Sequence, residues 1–338
     1  MSEAGIPPNV DRSGDLLAGL WVPWPFASML LVTRFWSRIA RKDLGWDDYF
    51  MLFSWVLYTT AVALSTVLIA HGGIRHIEYL SLGDLTFVMK LEAISEPIGM
   101  FALVFGKSSV ALFIRRISGT TKKWRRWFLD VNVVLYFLVS IAVLGVMFGQ
   151  CAPAKALWDV ELRESGQAKC MNSTVVLSLY MLQGAWGAYL DFALATLPLT
   201  FLLELKIDLP KKIALCILLG LGVIAGVCAT IKTWAFYPAQ TSTDITWNGY
   251  ALFLWTTLEN AFLLIAGCIP PSKTIYDYWR NGKPISLTGA SSTSASSKFS
   301  HFSHRERFSK ISSRLGRASP LGSSIGDREL LTKSSQES

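Results

Sequence analysis

The chain is 338 residues long, 51% hydrophobic and only 17% charged, with a mean hydropathy of +0.38. A soluble domain carries about 25% charged residues, so this balance excludes an ordinary soluble protein and points to the lipid bilayer as its partner. The net charge of +8 in such a chain marks cytoplasmic loops, and nucleic acid is not an expected partner.

The opening MSEAGIPPNVDRSGD holds two acids before its first Arg, where a signal peptide has a basic region, so the first apolar run is expected to stay as an anchor. Seven apolar runs follow, at 16–37, 47–70, 85–114, 127–149, 174–203, 211–236 and 247–269. Each has roughly the 20 residues that a spanning helix needs. None alternates apolar with polar residues, so the backbone is satisfied internally as helix rather than in a barrel. Pro23 and Pro25 interrupt the first run, and its helix is expected to start near Pro25, since proline suits a first turn. No repeat period marks a solenoid. No matched pair of broken helices marks a transporter.

Lysine and arginine set the orientation. With the amino end outside, the inner loops hold Arg38, Arg41 and Lys42, then Arg115, Arg116, Lys122, Lys123, Arg125 and Arg126, then Lys206, Lys211 and Lys212. The outer loops hold only Arg12, Arg75, Lys155, Arg163 and Lys169. The positive-inside rule therefore predicts an all-α, polytopic membrane protein with seven transmembrane helices, the N-terminus outside and the C-terminus cytoplasmic. Residues 1–15 form a polar extracellular N-terminus, 16–270 the membrane domain and 271–338 a cytoplasmic tail. From about 284 the tail is rich in Ser and basic residues, and it is expected to be disordered because it cannot bury enough surface to offset chain entropy. Ser309, Ser312, Ser313 and Ser319 lie among Lys310, Arg314 and Arg317, a pattern that suits a tail drawn to anionic lipid and released by phosphorylation.

RKDLGWDDYF, 41–50, sets two acids at the start of the second run. A helix start has free N–H groups and a positive dipole end, so Asp47 or Asp48 suits a cap. The alternative is a latch between the first two spans, with Asp48 paired to Arg34 or Arg38. At this segment the chain resembles the fungal rhodopsin-domain integral membrane proteins, whose mark is a basic–LG–W–DD stretch. KSSVALFIRRI (107–117) and CAPAKALWDVELRESGQAKC (151–170) are similar to further motifs of that family. So are Asp191 with LPLTFLLELKIDLPKK, DITW (244–247), Glu259 and GCIPP (267–271). The resemblance covers roughly 20–285. It implies a seven-helix, receptor-like protein of the type that includes surface sensors of plant pathogens. Some relatives carry an eight-cysteine domain before the first helix; residues 1–15 hold no cysteine, so a dedicated ligand-capturing module is not expected.

Cys151 and Cys170 fall in a loop placed outside, where a disulfide persists. Cys216, Cys228 and Cys268 lie in apolar runs and read as small buried side chains. The sequon at Asn172 abuts a helix and is not an expected glycosylation site. Within the third run, Glu96 lies about 40° and Lys107 about 60° from Glu92, one polar stripe, but Lys107 sits about 16 Å beyond Glu96. Each therefore needs a partner on another helix, and Asp191 and Glu259 are the candidates for Lys107. Lys90 and Lys232 are expected to snorkel. The group either fixes the packing or forms a ligand pocket lined by Glu96, Asp191 and Glu259, with Pro97 and Pro198 allowing kinks.

The last run lacks the lysine that a retinal Schiff base would need, so light sensing and a retinal cofactor are not expected. His71 and His76 are too few for a catalytic metal and read as interface residues. No P-loop, dinucleotide or nucleophile-elbow motif is present, so neither an enzyme nor a bound cofactor is expected. The Asp-Arg-Tyr and Asn-Pro-x-x-Tyr signatures of animal receptors are missing, although Arg115-Arg116 occupies the comparable position. The expected role is receptor-like sensing of an unknown ligand in the plasma membrane, relayed to a cytoplasmic effector by Arg115, Arg116, Lys122, Lys123, Arg125 and Arg126. The alternatives are a small-solute transporter using the intramembrane carboxylates and a membrane scaffold whose tail is the active part.

Overall fold

The computed structural model describes residues 11–117, 123–204, 209–242 and 244–281, with the backbone alone at 117, 160, 164, 198–204, 209–215 and 271–281. The tail beyond 281, Lys122 and Lys206, and the side chains of Pro198, Lys211 and Lys212, lie outside this description. The helices in chain order are α1 (Ser13–Trp21), α2 (Pro23–Ala40), α3 (Trp46–Ala70), α4 (Leu82–Ile117) and α5 (Lys123–Gly149), followed by α6 (Val160–Glu164), α7 (Ser173–Glu204), α8 (Leu209–Thr241) and α9 (Ile245–Asn281). The one ladder among the described residues is a pair of two-residue strands, β1 (Cys151–Ala152) and β2 (Lys169–Cys170), with Cys151 opposite Cys170.

The helix ends follow from local chemistry. At the start of α4, the Ser81 hydroxyl accepts from the Asp84 amide at 3.1 Å and donates to the Asp84 carboxylate at 2.6 Å. α3 stops at Gly72, whose φ of +80° turns the chain, while the Gly72 and Gly73 amides close back on Ile69 and Leu68. The first apolar run corrects one expectation. Its helix does not wait for Pro25: α1 begins at Ser13, Val22 keeps helical dihedrals, and Pro23 opens α2. There the missing N–H of proline leaves no intrahelical bond unmade.

Among the described residues six helical stretches are long and apolar enough to cross a membrane: Ser13–Ala40, Trp46–Ala70, Leu82–Arg116, Lys123–Gly149, Cys216–Thr241 and Ile245–Pro270. The remaining apolar run forms α7, 32 residues long. α4 is the innermost stretch, packed against α3, α5, α7 and α9. The core beside it holds Met51, Tyr58, Leu103 and Leu264. Facing outward, Phe26, Trp36 and Trp234 are bare at 61%, 69% and 79% exposure. So much large apolar surface on one chain calls for lipid, not water, as its solvent. Cys228 and Cys268 are buried as expected, but Cys216 is exposed on that outer surface. An apolar run buries only the face turned to its neighbours.

Two ends can be told apart. Arg38, Arg41, Arg115, Arg116 and the start of α5 gather at a basic end, and His71, His76, Asp244 and the β1–β2 ladder lie at a disulfide end. Cys151 and Cys170 are bonded across a sequence separation of 19. Closing a loop of this size contributes about 3 kcal/mol in the loop-entropy picture. The Cys151→Ser/Cys170→Ser protein is therefore expected to melt earlier than the oxidised protein in lipid nanodiscs. Equal melting temperatures would contradict that contribution.

Candidate functional site

The polar groups of the bundle fall into layers between the two ends. At the basic end, Arg34 on α2 is fully buried. It donates to Asp47 and Asp48 on α3, both at 2.7 Å, and to the Gly267 carbonyl on α9, also at 2.7 Å. Arg38 reaches Asp43 at 2.9 Å and Asp47 at 3.4 Å, and lies 3.5 Å from Asp48. Arg116 on α4 completes the set, at 3.1 Å from Asp47 and bonded to Asp43. Three arginines thus face three aspartates, and four helices are tied at one level. The two readings of the second-run acids coexist: Asp48 accepts from the Gly45 amide at the helix start, at 3.0 Å, while its other oxygen holds Arg34. Arg115 pairs with Asp130 on α5 at 2.9 Å, half-exposed. Lys123 is exposed and Arg125 and Arg126 are half-buried. Arg115, Arg116 and Arg126 line an open groove with Trp46 and Leu112.

The second layer centres on Lys107 of α4, which is fully buried. Its ammonium donates to the Gly187 carbonyl at 2.8 Å, to Asp191 at 2.9 Å and to Glu259 at 2.9 Å, which uses all three N–H bonds. A side chain at position 187 would stand 3.4 Å from the ammonium and 3.1 Å from the Tyr136 hydroxyl, so glycine is what lets the α7 backbone approach. The Tyr136 ring lies 5.4 Å from the ammonium, and its hydroxyl accepts from Gln183 at 3.0 Å. Lys232 on α8 does not snorkel to an interface as expected. It reaches the second Glu259 oxygen at 2.6 Å, because a charge-assisted bond to a buried carboxylate is available within the bundle. Two lysines therefore balance two carboxylates.

Glu92 and Glu96 stand apart from this cluster, as their height on α4 requires. Both line a cavity of about 50 Å³ between α3, α4 and α9, together with Tyr58, Ser65, Thr257 and Asn260. Glu96 also lines an adjoining cavity of about 60 Å³ with Tyr180, Gln183, Lys232 and Thr256. Asp191 and Glu259 line neither cavity, so the pocket expected from Glu96, Asp191 and Glu259 divides in two. Glu96 faces open space, and the other two are closed around Lys107.

At the disulfide end His76 is more than an interface residue. Its Nδ1 lies 2.5 Å from Asp244, and its ring stacks on Trp247 at 4.0 Å. The Arg12 guanidinium also lies over the Trp247 ring, 3.9 Å from its centroid. Partial burial pushes the Asp244 carboxyl up, but the bonds from His76 and from the Ile77 and Trp247 amides outweigh it and hold the group below the usual carboxylate range. Nearby, bonds from the Ser13 hydroxyl and amide and from Arg75 hold Asp11 down at about 2. Sequence reasoning sent Lys232 to an interface, and it passed over Tyr58, Asn260 and the His76–Asp244 pair. Only the last had a signal, since Asp244 and Trp247 both belong to DITW.

The layers draw on the same short motifs, in order: the paired aspartates, Lys107 with Arg116, the two bonded cysteines, Asp191, DITW, Glu259 and Gly267. Residues 33–278 match the fungal rhodopsin domain. The chain belongs to this family. The chain is similar to the polyenoic acids biosynthesis gene cluster protein Ba17b of Metarhizium anisopliae, 22% identical over 72% of this chain and 69% of that protein. It is also 27% identical to the fugralins biosynthesis cluster protein 2 of Gibberella zeae, over 39% of this chain and 32% of that protein. No solved structure matches the chain. This fungal rhodopsin-domain protein thus places Asp47, Asp48, Lys107, Asp191 and Glu259 of its motifs in buried ion clusters.

Two outcomes follow. Lys107→Met leaves Asp191 buried without its cation, a loss of about 3–5 kcal/mol. Adding Asp191→Leu should recover much of it, because Lys232 still holds Glu259; strictly additive losses in nanodisc melting would contradict the cluster. At the disulfide end, a depressed carboxyl stabilises the fold above its unfolded pKa of about 4 and stops doing so as pH falls through its folded value. Asp244→Asn should therefore lose less melting temperature than the wild type between pH 5 and pH 2.5. An equal loss would show that Asp244 carries none of this dependence.

Proposed function

We propose that this protein is a receptor-like sensor of the plasma membrane and not an enzyme. In this reading α7 is the seventh span, the disulfide end faces outward, and the basic end and tail face the cytoplasm. The excess of Lys and Arg at one end and the bonded cysteines at the other support that orientation. The groove beside Arg115, Arg116 and Arg126 receives a cytoplasmic signalling effector, and the basic tail rests on anionic lipid.

One observation carries the reading. Lys232 lines the second cavity, and its ammonium holds Glu259 and, through it, Lys107. A ligand in the cavity acts on the Lys232 ammonium and so bears on the cluster that joins α4, α7, α8 and α9. Coupling of this kind needs a discrete rearrangement of packed groups, and a saturated ion cluster supplies one. Full pairing of Asp191 and Glu259 by lysines favours sensing over solute transport through those carboxylates. The relatives named for biosynthesis clusters of small molecules support a small-molecule ligand.

The coupling is testable without knowing the ligand. Spin labels at Leu44→Cys and Trp124→Cys, on a background lacking the three free cysteines, report the spacing of the basic ends of α3 and α5. Lys232→Met is expected to shift that distance distribution while expression persists. An unchanged distribution, with solute uptake into proteoliposomes that depends on Glu259, would replace sensing by transport.

A further inference from the structure

The cavity beside Glu92 and Glu96 is lined by two carboxyl groups that the clusters already described do not use. The basic-end cluster is balanced by its own arginines and the Lys107 cluster by its own lysines. Glu92 and Glu96, one helical turn apart on α4, have no ion pair among the described residues. Two carboxylates at this spacing repel each other. In a lipid-surrounded bundle such groups need neutralising partners.

Two further groups on the same cavity wall lack partners. The Tyr58 hydroxyl and the Asn260 side-chain oxygen are buried with no hydrogen bond among the described residues. Their residues are only 1% and 2% exposed. The Asn260 amide nitrogen is already used, donating to the Thr256 carbonyl at 2.9 Å, so its oxygen is the free end. A proton on each glutamate would neutralise the carboxyls and offer an O–H donor to each of these oxygens, the arrangement in which neither salt raises the melting temperature. A small cation answers all four, because the wall then supplies only oxygens: two carboxylates, an amide carbonyl and a phenol. That donor set suits a hard cation or an ammonium, not a transition metal. Among the described residues no three His, Cys, Asp or Glu side chains converge, which argues for a single charge. At about 50 Å³ and 60 Å³ the two spaces each hold roughly four waters at about 10–15 Å³ apiece, room for an ion with part of its shell or for a short amine.

We propose that these adjoining cavities bind a small monovalent cation, an alkali ion or a primary ammonium, held by Glu92, Glu96, Tyr58 and Asn260. The inference rests on reading the cavity as the ligand site and names the class of ligand. Glu96, shared by both cavities, is the residue through which the cation meets Lys232. A bound cation near Glu96 repels that ammonium and strengthens its hold on Glu259.

The experiment is a melting series on the full-length protein in neutral-lipid nanodiscs. Sodium chloride and methylammonium chloride are each titrated against N-methylglucamine chloride at constant ionic strength. A saturable rise of a few degrees with sodium alone assigns an alkali ion, and one with methylammonium assigns an ammonium. Either rise should vanish in Glu96→Gln, and its half-saturation should move several-fold higher in Tyr58→Phe, which keeps the ring. No saturable rise with either salt, or a rise unchanged in both variants, would overturn the cation site. Where Glu96→Gln does not fold, the wild-type series and Tyr58→Phe decide. A cation effect without any shift between the spin labels would leave the site and remove the sensing role, whereas a label shift without a cation effect would do the reverse.

Discussion

Burying an ammonium in a bundle that lipid surrounds is the constraint on which the rest of the arrangement depends. Lys107 has no water to turn to, so each of its three N–H bonds must find an acceptor on another helix. Asp191 and Gly187 on α7 and Glu259 on α9 supply them, and α4 is thereby fixed in height and rotation against both. Between apolar helices, sliding or turning changes little in lipid, because tails are as apolar as the side chains they replace. A saturated ion cluster removes that freedom, since a register shift by one residue would strand a charge.

The same rule repeats toward the basic end, where Arg34 ties α2, α3 and α9. The protein is thus held by two balanced clusters, with the outward faces left to Phe, Trp and Ile. Such a design is specific but not indifferent to perturbation. Lys107, with all three donors used, cannot lose one contact without leaving another group unsatisfied. That property suits a device in which events near one end are read at the other. Lys232 is where the two kinds of region meet, since it lines the second cavity and its ammonium is bonded to Glu259.

Much of this was legible in the sequence. Hydrophobic run length located the helices, since the bilayer sets that length. Helical spacing placed Glu92, Glu96 and Lys107 on one stripe and separated Lys107 from the glutamates, and the scarcity of intramembrane acids then left Asp191 and Glu259 as its partners. The misses have physical causes. α1 begins earlier than the apolar run because helix propagates through polar Ser13 and Gly14 and because proline is harmless at a first turn. Lys232 looked free to snorkel because its distance from a helix end is visible in the sequence and its distance from Glu259 is not. His76 lies in a loop whose path back to Asp244 depends on how α3 and α9 pack. Tyr58 and Asn260 resembled ordinary core residues, since a missing hydrogen bond exists only in three dimensions.

Solid-state NMR on the protein in bilayers tests the central ion cluster most directly. Lysine side-chain nitrogens and aspartate and glutamate carboxyl carbons are labelled, and the Lys107 signal is assigned by its loss in Lys107→Met. The account predicts a charged ammonium with dipolar couplings to the carboxylates of both Asp191 and Glu259. A neutral amine, or an ammonium coupled to neither, would contradict it.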